Sequence, residues 1–266
     1  MEIHPLLRSP TQLQQLDKFF VEHRSNESVL KSLATGFRSE FEYPHPPAWG
    51  HVHNYLPLQS FTGSHRLREV FRKQVLEGRM IGGPGWTCQR VTSFFDDRQW
   101  YGIPCGAVEK DGDPLGRVVH DYGFFKRGSY SINAAHDNTS VRYDSIRKRV
   151  LVLRDICRYI KSDLESGFRQ FGTHPFDWRF QIYCNGLDED YIDIACPFGK
   201  TNSTLTFCLA VKLFVIPAAV RYREERGGYV PKLSPYVDDI YGGAPGSNCY
   251  ETALELREFL CNRVHN

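Results

Sequence analysis

Two aspartates stand side by side in the strand-like run SPYVDDIYGG, at Asp238 and Asp239. Neighbouring carboxylates repel each other, and aspartate is depleted in β-strands. A divalent cation relieves that repulsion and takes oxygen ligands, so the pair is a candidate metal site. The competing interpretation is structural, because two aspartates between Tyr-Val and Ile-Tyr also fit the tip of a hairpin.

A two-metal phosphoryl transfer calls for a third acid at the end of another strand. The run KSDLESGF supplies Asp163, which follows the apolar stretch LVLRDICRYI. An aspartate that leaves a strand ahead of a helix can direct its carboxylate toward a neighbouring hairpin tip. Three carboxylates around two Mg²⁺ ions suit in-line phosphoryl transfer. Taken alone, Asp163 also fits an ordinary helix cap or a surface acid.

Composition limits the class of protein. The chain has 266 residues, 41% of them hydrophobic, and a net charge of +2, so affinity for nucleic acid has to come from local basic patches. Its eight cysteines form no CxxC pair, which argues against a zinc site and fits a reducing compartment. The N-terminus has no apolar signal core, and the longest apolar run, FCLAVKLFVIPAAV, is too short to span a bilayer. We therefore expect an intracellular protein, cytoplasmic or nuclear, that is neither secreted nor membrane-bound.

The elements that must position these acids are helices mixed with antiparallel hairpins. Apolar spacing predicts helices over 11–35, 66–77, 141–160 and 205–226, and a last helix in NCYETALELREFLCNRV. Alternation around turn residues predicts three hairpins, in YGIPCGAVEKDGDPLGRVVHDYGFF, WRFQIYCNGLDEDYIDIACPFG and YVPKLSPYVDDIYGG. Helices interspersed with antiparallel hairpins indicate an α+β fold.

Several motifs resemble, in order, those of reverse transcriptases. KSDLESGFRQFGTHPFDW, CPFG and YVDDIYGG are similar to the palm motifs D-x-x-x-(A/G)-F-R, H-P-x-D-W, L-P-F-G and Y-x-D-D of DIRS-like, tyrosine-recombinase retrotransposons. Upstream, GIPCGAVEKDGDPLGRVVHDYGFFKRGSYSIN resembles the fingers hairpin and the S-V-N that follows it, and NYLPLQSF with EGRMIGGPG resembles the segment before the fingers. The resemblance covers about residues 30–260. It implies fingers and a palm whose antiparallel sheet packs on helices.

Three regions and an activity follow from that resemblance. Residues 1–64 would be a helical or irregular extension, 65–150 a fingers-like region, and 151–266 a palm that stops before the thumb. The implied activity is RNA-directed DNA polymerisation, which transfers deoxynucleoside triphosphates to a primer 3′-hydroxyl on an RNA or DNA template. A longer retroelement polyprotein with a downstream thumb and RNase H region is implied as well.

The resemblance also assigns roles to individual residues. Asp163, Asp238 and Asp239 would hold two Mg²⁺ ions, or Mn²⁺, with the carbonyl of Leu164 as a further ligand. Phe168 would sit under the incoming sugar and exclude a 2′-hydroxyl by its bulk, although a buried Phe is also an ordinary core residue. The residues that would hold the triphosphate and pack the template and nucleotide are Lys110, Arg117, Phe198 and Gly199.

A basic stretch is a candidate for the nucleic-acid backbone. Lys and Arg outnumber Asp between Arg117 and Arg149, and the excess ends in the consecutive cations Arg147, Lys148 and Arg149. Such a cluster can track phosphates, but it can equally be the solvated face of a helix.

Some positions depart from the resembled pattern. Thr204 replaces a proline at a helix entry, Pro235 removes a strand hydrogen-bond donor, and the sequence ends one helix after Y-x-D-D. Two alternatives to a polymerase therefore stay open. One is a catalytically inactive nucleic-acid-binding or interaction protein on the same fold, and the other is an unrelated α+β protein whose two aspartates form only a turn.

Overall fold

The structure, a computed structural model, describes part of the chain: residues 31–32, 35–39, 61–110, 112–124, 131–135, 145–156, 158–163, 166–184, 189–211, 232–236, 239–244, 254–255 and 258. The backbone divides into two compact units. The first comprises Met1–Thr139 and Phe168–Ser203, and the second comprises Ser140–Gly167 and Thr204–Asn266. Among the described residues, no helix is long and apolar enough to cross a membrane.

The first unit is built on one long amphipathic helix, α1, at Phe61–Leu76. Its apolar positions Leu67 and Phe71 lie one turn apart and are buried in a core of aromatic and aliphatic side chains. The helix gives way to Gly78, whose φ of 72° suits a helix end that only glycine adopts without strain. The sequence predicted this helix over 66–77, and the structure extends it toward the N-terminus.

Two sets of strands pair within the first unit. Strands β2 (Cys105–Lys110) and β3 (Asp113–His120) form the first predicted hairpin. Strands β1 (Met80–Gly82), β5 (Ile182–Cys184) and β6 (Asp190–Asp193) form an antiparallel sheet in the order β1-β6-β5. Two short helices, α2 (Cys88–Phe94) and α3 (Ile132–Ala135), and the 3₁₀ turn Pro175–Phe180 also lie in this unit, and the 3₁₀ turn Gly167–Gln170 begins at its boundary.

The β1-β6-β5 sheet is enclosed on both faces. All four residues of the central strand β6 are buried, including Asp193. One face packs on α1 through stacked and tilted rings of Phe71, Tyr183 and Tyr191. The buried carboxylate of Asp193 is paired, since Arg169 contacts it at 2.5 Å.

The second unit contains a different three-stranded sheet. Helix α4 (Ile146–Leu153) precedes strand β4 (Arg158–Asp163), and a hairpin follows from β7 (Lys232–Tyr236) and β8 (Asp239–Ala244). The strand order is β4-β8-β7, all antiparallel. Pro235 lies in β7, an edge strand of this sheet, where a missing N–H donor is tolerated.

Several predicted elements differ from those in the structure. Residues 141–160 were expected to be helical, but α4 ends at Leu153 and 158–160 already belong to β4. The run Arg158–Ile160 includes an aromatic residue, Tyr159, and a β-branched residue, Ile160. It pairs with β8, and this long-range pairing overrides the local helical spacing. Residues 201–211 form a helix that passes through Thr204. The predicted helices over 11–35 and near the C-terminus fall almost entirely outside the described residues.

Candidate functional site

The acid pair is built by the pairing of β4 with β8. Asp163 is the last residue of β4, Asp239 is the first residue of β8, and the two are direct partners in the antiparallel register. Directly opposed residues place their side chains on the same face, with Cβ atoms about 4.5–5.5 Å apart. The sheet thus brings together two of the three acids that the sequence singled out.

That face of the sheet is open. Along β4, Tyr159, Lys161 and Asp163 are exposed, whereas Ile160 between them is buried. The alternation follows from the two-residue period of a strand. Asp163 is consequently exposed on this face, and Asp239 lies opposite it with its side chain 20% exposed.

Each carboxylate oxygen of Asp239 has a partner. The ammonium of Lys161 contacts Oδ1 at 2.9 Å, and the hydroxyl of Tyr241 donates to Oδ2 at 2.9 Å. The hydrogen bond to Asp239 raises the pKa of Lys161, and the charge of Asp163 acts in the same direction. The pKa of Tyr241 is raised as well, because its hydroxyl donates to the same carboxylate. A positive charge is thus already held at Asp239.

These residues fit a divalent cation in the part of the site that can be described. Two carboxylates opposed on one exposed face supply hard oxygen ligands, and Asp239 already attracts the cation of Lys161. Asp238 and Leu164 lie outside the described residues. Within the described part of the chain, no group of three His, Cys, Asp or Glu side chains is placed to hold a metal ion.

The aromatic residues assigned to the nucleotide belong to the first unit. Phe168 lies in the 3₁₀ turn after the acid motif and is only 5% exposed, whereas Phe198 of CPFG is 51% exposed. Their ring centroids are 4.7 Å apart. Two residues separated by thirty positions in the sequence are therefore in contact, with one buried ring supporting one accessible ring.

Gly199, next to Phe198, permits a close approach of two backbones. Its φ is 86°, and a Cβ atom built there would lie 2.9 Å from the carbonyl oxygen of His120, at the end of β3. Only glycine fits both the positive φ and the contact without strain. The CPFG turn therefore packs directly against the end of β3 at His120.

Sequence reasoning missed a residue that holds this turn. Asn133 donates from Nδ2 to the carbonyl of Gly199 at 2.8 Å and accepts at Oδ1 from the backbone N–H of Thr201 at 2.9 Å. Its own N–H donates to the carbonyl of Tyr122, which anchors it to the segment after β3. The available signal was its place in the run SIN, which resembles S-V-N, but the pattern alone gives no partner.

Two cations that the sequence assigned to the triphosphate, Lys110 and Arg117, lie in the β2–β3 hairpin. Arg117 is exposed on β3 opposite Val108, and Lys110 ends β2 opposite Asp113, past a register shift between Val108 and Lys110. The side chain of Lys110 lies outside the described part of the structure. The exposed guanidinium of Arg117 is available to an anion such as a triphosphate.

The basic cluster of α4 is divided by its contacts. Ser145 caps the helix by accepting from the N–H of Lys148, and Arg147 and Lys148 are exposed. Arg149 is only half-exposed, because its guanidinium stacks 3.9 Å above the ring of Tyr236. The cation–π contact ties α4 to the edge strand β7, so Arg149 has a structural contact that Arg147 lacks among the described contacts.

Comparison with known proteins identifies the fold. No protein-family model matches the chain, and no curated protein matches it. Among solved structures, the chain is similar to the protease-reverse transcriptase of prototype foamy virus, with a TM-score of 0.51 and 19% sequence identity. The match covers 95% of this chain and 29% of the viral chain. The chain therefore has a reverse-transcriptase-like fold and spans less than a third of the length of that relative.

Proposed function

We propose that the chain comprises fingers and palm regions of an RNA-directed DNA polymerase from a retroelement of the DIRS-like type. The observation that carries the proposal is the register of Asp163 against Asp239 on the open face of an antiparallel sheet. That arrangement occurs in a chain with a reverse-transcriptase-like fold. The order of the motifs along the sequence supports the same assignment.

Asp163, Asp238 and Asp239 would hold two Mg²⁺ ions, with the Leu164 carbonyl as an additional ligand. When bound, the ions would favour deprotonation of the primer 3′-hydroxyl and neutralise charge on the triphosphate. Before any cation binds, Tyr241 fixes the orientation of the Asp239 carboxylate through Oδ2. A pre-oriented carboxylate lowers the cost of assembling the site.

Residues of the first unit would select and hold the nucleotide. Arg117, with Lys110, binds the triphosphate through charge-assisted hydrogen bonds. Phe168 is held by its contact with Phe198, and a ring so fixed can exclude a ribose 2′-hydroxyl by steric conflict. Asn133 keeps the CPFG turn in place through its two hydrogen bonds at Gly199 and Thr201.

The decisive experiment is incorporation of dTTP by the purified chain on oligo(dT) annealed to poly(rA), with Mg²⁺ or Mn²⁺. We expect Asp239→Asn to reduce metal-dependent incorporation by at least about a hundredfold, since the charge-stabilising ligand is lost. Asp155→Asn is the matched control, because Asp155 is an exposed acid of the same unit paired with a lysine at 2.9 Å. An equal loss in both variants, or incorporation that persists in Asp239→Asn, contradicts the assignment.

A second measurement separates a polymerase from a binding protein on the same fold. Arg117→Ala should weaken stabilisation of the chain by dNTP with Mg²⁺ and leave duplex affinity nearly unchanged. Joint replacement of Arg147, Lys148 and Arg149 by alanine should do the reverse and lower the salt slope of binding by about one per phosphate contact. Duplex binding without any dNTP effect or incorporation in the wild type would favour the catalytically inactive alternative.

A further inference from the structure

Lys161 shares the open sheet face with the acid pair. It lies two residues before Asp163 on β4 and opposite Tyr241 in the register, so Asp239 is its diagonal neighbour on β8. Its Nζ contacts Asp239 Oδ1 at 2.9 Å, and its side chain is 58% exposed while that of Asp239 is 20% exposed. A solvent-accessible ammonium thus contacts the less accessible carboxylate of the pair.

The position has an electrostatic consequence. Two like charges directly opposed in a sheet destabilise it, and Asp163 with Asp239 is such a pair. Lys161 offsets that repulsion in the absence of a metal ion. A divalent cation that takes Oδ1 of Asp239 as a ligand has to displace the ammonium, because the two cations repel each other and claim the same oxygen.

We propose that Lys161 is the built-in counter-ion of the acid pair and competes with divalent metal for Asp239. This inference rests on the proposed function, since it requires that Asp239 be a metal ligand. Lys161 is then a positioning residue: it keeps the Asp239 carboxylate ordered without metal and sets the concentration at which metal enters. Its long flexible side chain and exposed position allow it to withdraw into solvent.

The same unit contains a second lysine–aspartate pair that serves as a control. Lys232 on β7 contacts Asp155 Oδ2 at 2.9 Å, the same separation as in the Lys161–Asp239 pair. Lys232 opposes Gly243 in the register, away from the strand ends that carry Asp163 and Asp239. Loss of Lys232 should therefore remove one ion pair without changing the metal-binding face.

The test is direct titration of the purified chain with Mn²⁺, followed by electron paramagnetic resonance of the free ion. Lys161→Met should tighten Mn²⁺ binding about two- to fivefold, the range expected when a competing exposed ion pair is removed. Lys161→Arg keeps the charge and should bind Mn²⁺ as the wild type does, and Lys232→Met should also leave the affinity unchanged. The advantage of Lys161→Met should shrink as KCl is raised, because salt screens the competing pair.

The outcomes distinguish this inference from the proposed function. Equal or weaker Mn²⁺ binding by Lys161→Met, with clear binding by the wild type, overturns the inference and leaves the metal site standing. Absence of Mn²⁺ binding in wild type and Lys161→Met alike overturns the metal site and the inference together. Tighter binding by Lys161→Met that disappears when Asp239→Asn is added supports both.

Discussion

The two three-stranded antiparallel sheets of this chain use aspartate in opposite ways. In the β1-β6-β5 sheet, Asp193 is fully buried and accepts from Arg169, from the Tyr183 hydroxyl and from the N–H of Ala195. In the β4-β8-β7 sheet, Asp163 is exposed, and the described partners of Asp239 are Lys161 and Tyr241 on the same face of the sheet. The residue type is the same, but the surroundings differ.

The difference shows how burial decides the role of a carboxylate. A buried charge with a guanidinium and two further donors is saturated, so it has no oxygen left to offer a ligand. A partly exposed carboxylate such as that of Asp239, whose partner is the exposed Lys161, can exchange that partner for a metal ion. The carboxylate of the first sheet is therefore committed to contacts inside the core. The acids of the second sheet remain able to bind a ligand.

The largest expected effect follows from breaking the buried pair. Arg169→Met leaves the carboxylate of Asp193 buried without its cation, and we expect the free energy of unfolding to fall by about 3–5 kcal/mol. Chemical denaturation at neutral pH measures it. Adding Asp193→Asn to Arg169→Met should recover part of the loss, because no unpaired charge remains. A loss below about 1 kcal/mol in the single variant would show that water reaches Asp193.

Two glycines, one in each three-stranded sheet, allow the packing of the two sheets to be compared. A Cβ atom on Gly82, whose φ is 137°, would lie 2.2 Å from the backbone carbonyl of Asp190, which cannot move aside. A Cβ atom on Gly242 would lie 2.4 Å from Cδ2 of the Leu233 side chain, which can partly rearrange, and 2.7 Å from the Lys232 carbonyl. We expect Gly82→Ala to cost about 3 kcal/mol and Gly242→Ala about 1–2 kcal/mol.

Thermal or urea unfolding of both glycine variants tests that order. Gly106→Ala in β2 is the control, since the nearest atom to its Cβ position is 3.9 Å away, and it should change stability by less than about 0.5 kcal/mol. If Gly242→Ala lowered stability more than Gly82→Ala, the second sheet would be the more rigid of the two, and the expected order of the two losses would be wrong.

Acid should act on the first unit through His120. Burial, together with the nearby charge of Arg169, lowers the pKa of His120 to about 3, and its buried Nδ1 has no hydrogen-bond partner among the residues that the structure describes. The folded state thus disfavours the protonated ring, so its stability is complete above pH about 6.5 and falls as the pH drops toward 3. Because His120 as a residue is partly exposed, we expect a loss of about 1–2 kcal/mol between pH 7 and pH 5.

Urea unfolding at several pH values measures that loss. His120→Gln should flatten the pH dependence between 6.5 and 4 even though it lowers stability at neutral pH. A slope that is unchanged in His120→Gln would assign the acid sensitivity to another group.

The sequence predicted the elements whose signal is local. Alternating residues around turn residues predicted all three hairpins, and apolar spacing with Gly78 predicted α1. It failed where tertiary pairing overrides local preference: residues 158–160 form a strand against β8, and Trp178–Phe180 lie in a 3₁₀ turn. Local spacing contains no information about a partner far away along the chain.

The site could be predicted only in part for the same reason. The motif pattern predicted Asp163 and Asp239 as members of one site, and the strand register places them opposite each other. The partners of Asp239 could not be read from the pattern, because the contact of Lys161 depends on which residue of β8 lies diagonal to it. The motif residues Arg169 and Asp177 were part of the resemblance too, yet they are buried and structural. Burial distinguishes Arg169 and Asp177 from the candidate metal ligands Asp163 and Asp239.

The smallest expected change is the stabilisation of the chain by Mg²⁺ at the acid pair Asp163 and Asp239. A ligand that binds only the folded state stabilises it by RT ln(1 + [L]/Kd), which is about 1.4 kcal/mol at ten times Kd. Mg²⁺ at that concentration should stabilise the wild type by about this amount, and Asp239→Asn should remove the response. In EDTA the variant should unfold close to the wild type, because a repulsion with Asp163 and an attraction to Lys161 disappear together. Asp155→Asn should respond to Mg²⁺ as the wild type does. If it loses the response instead, the cation binds elsewhere, and the acid pair of the second sheet is not the metal site.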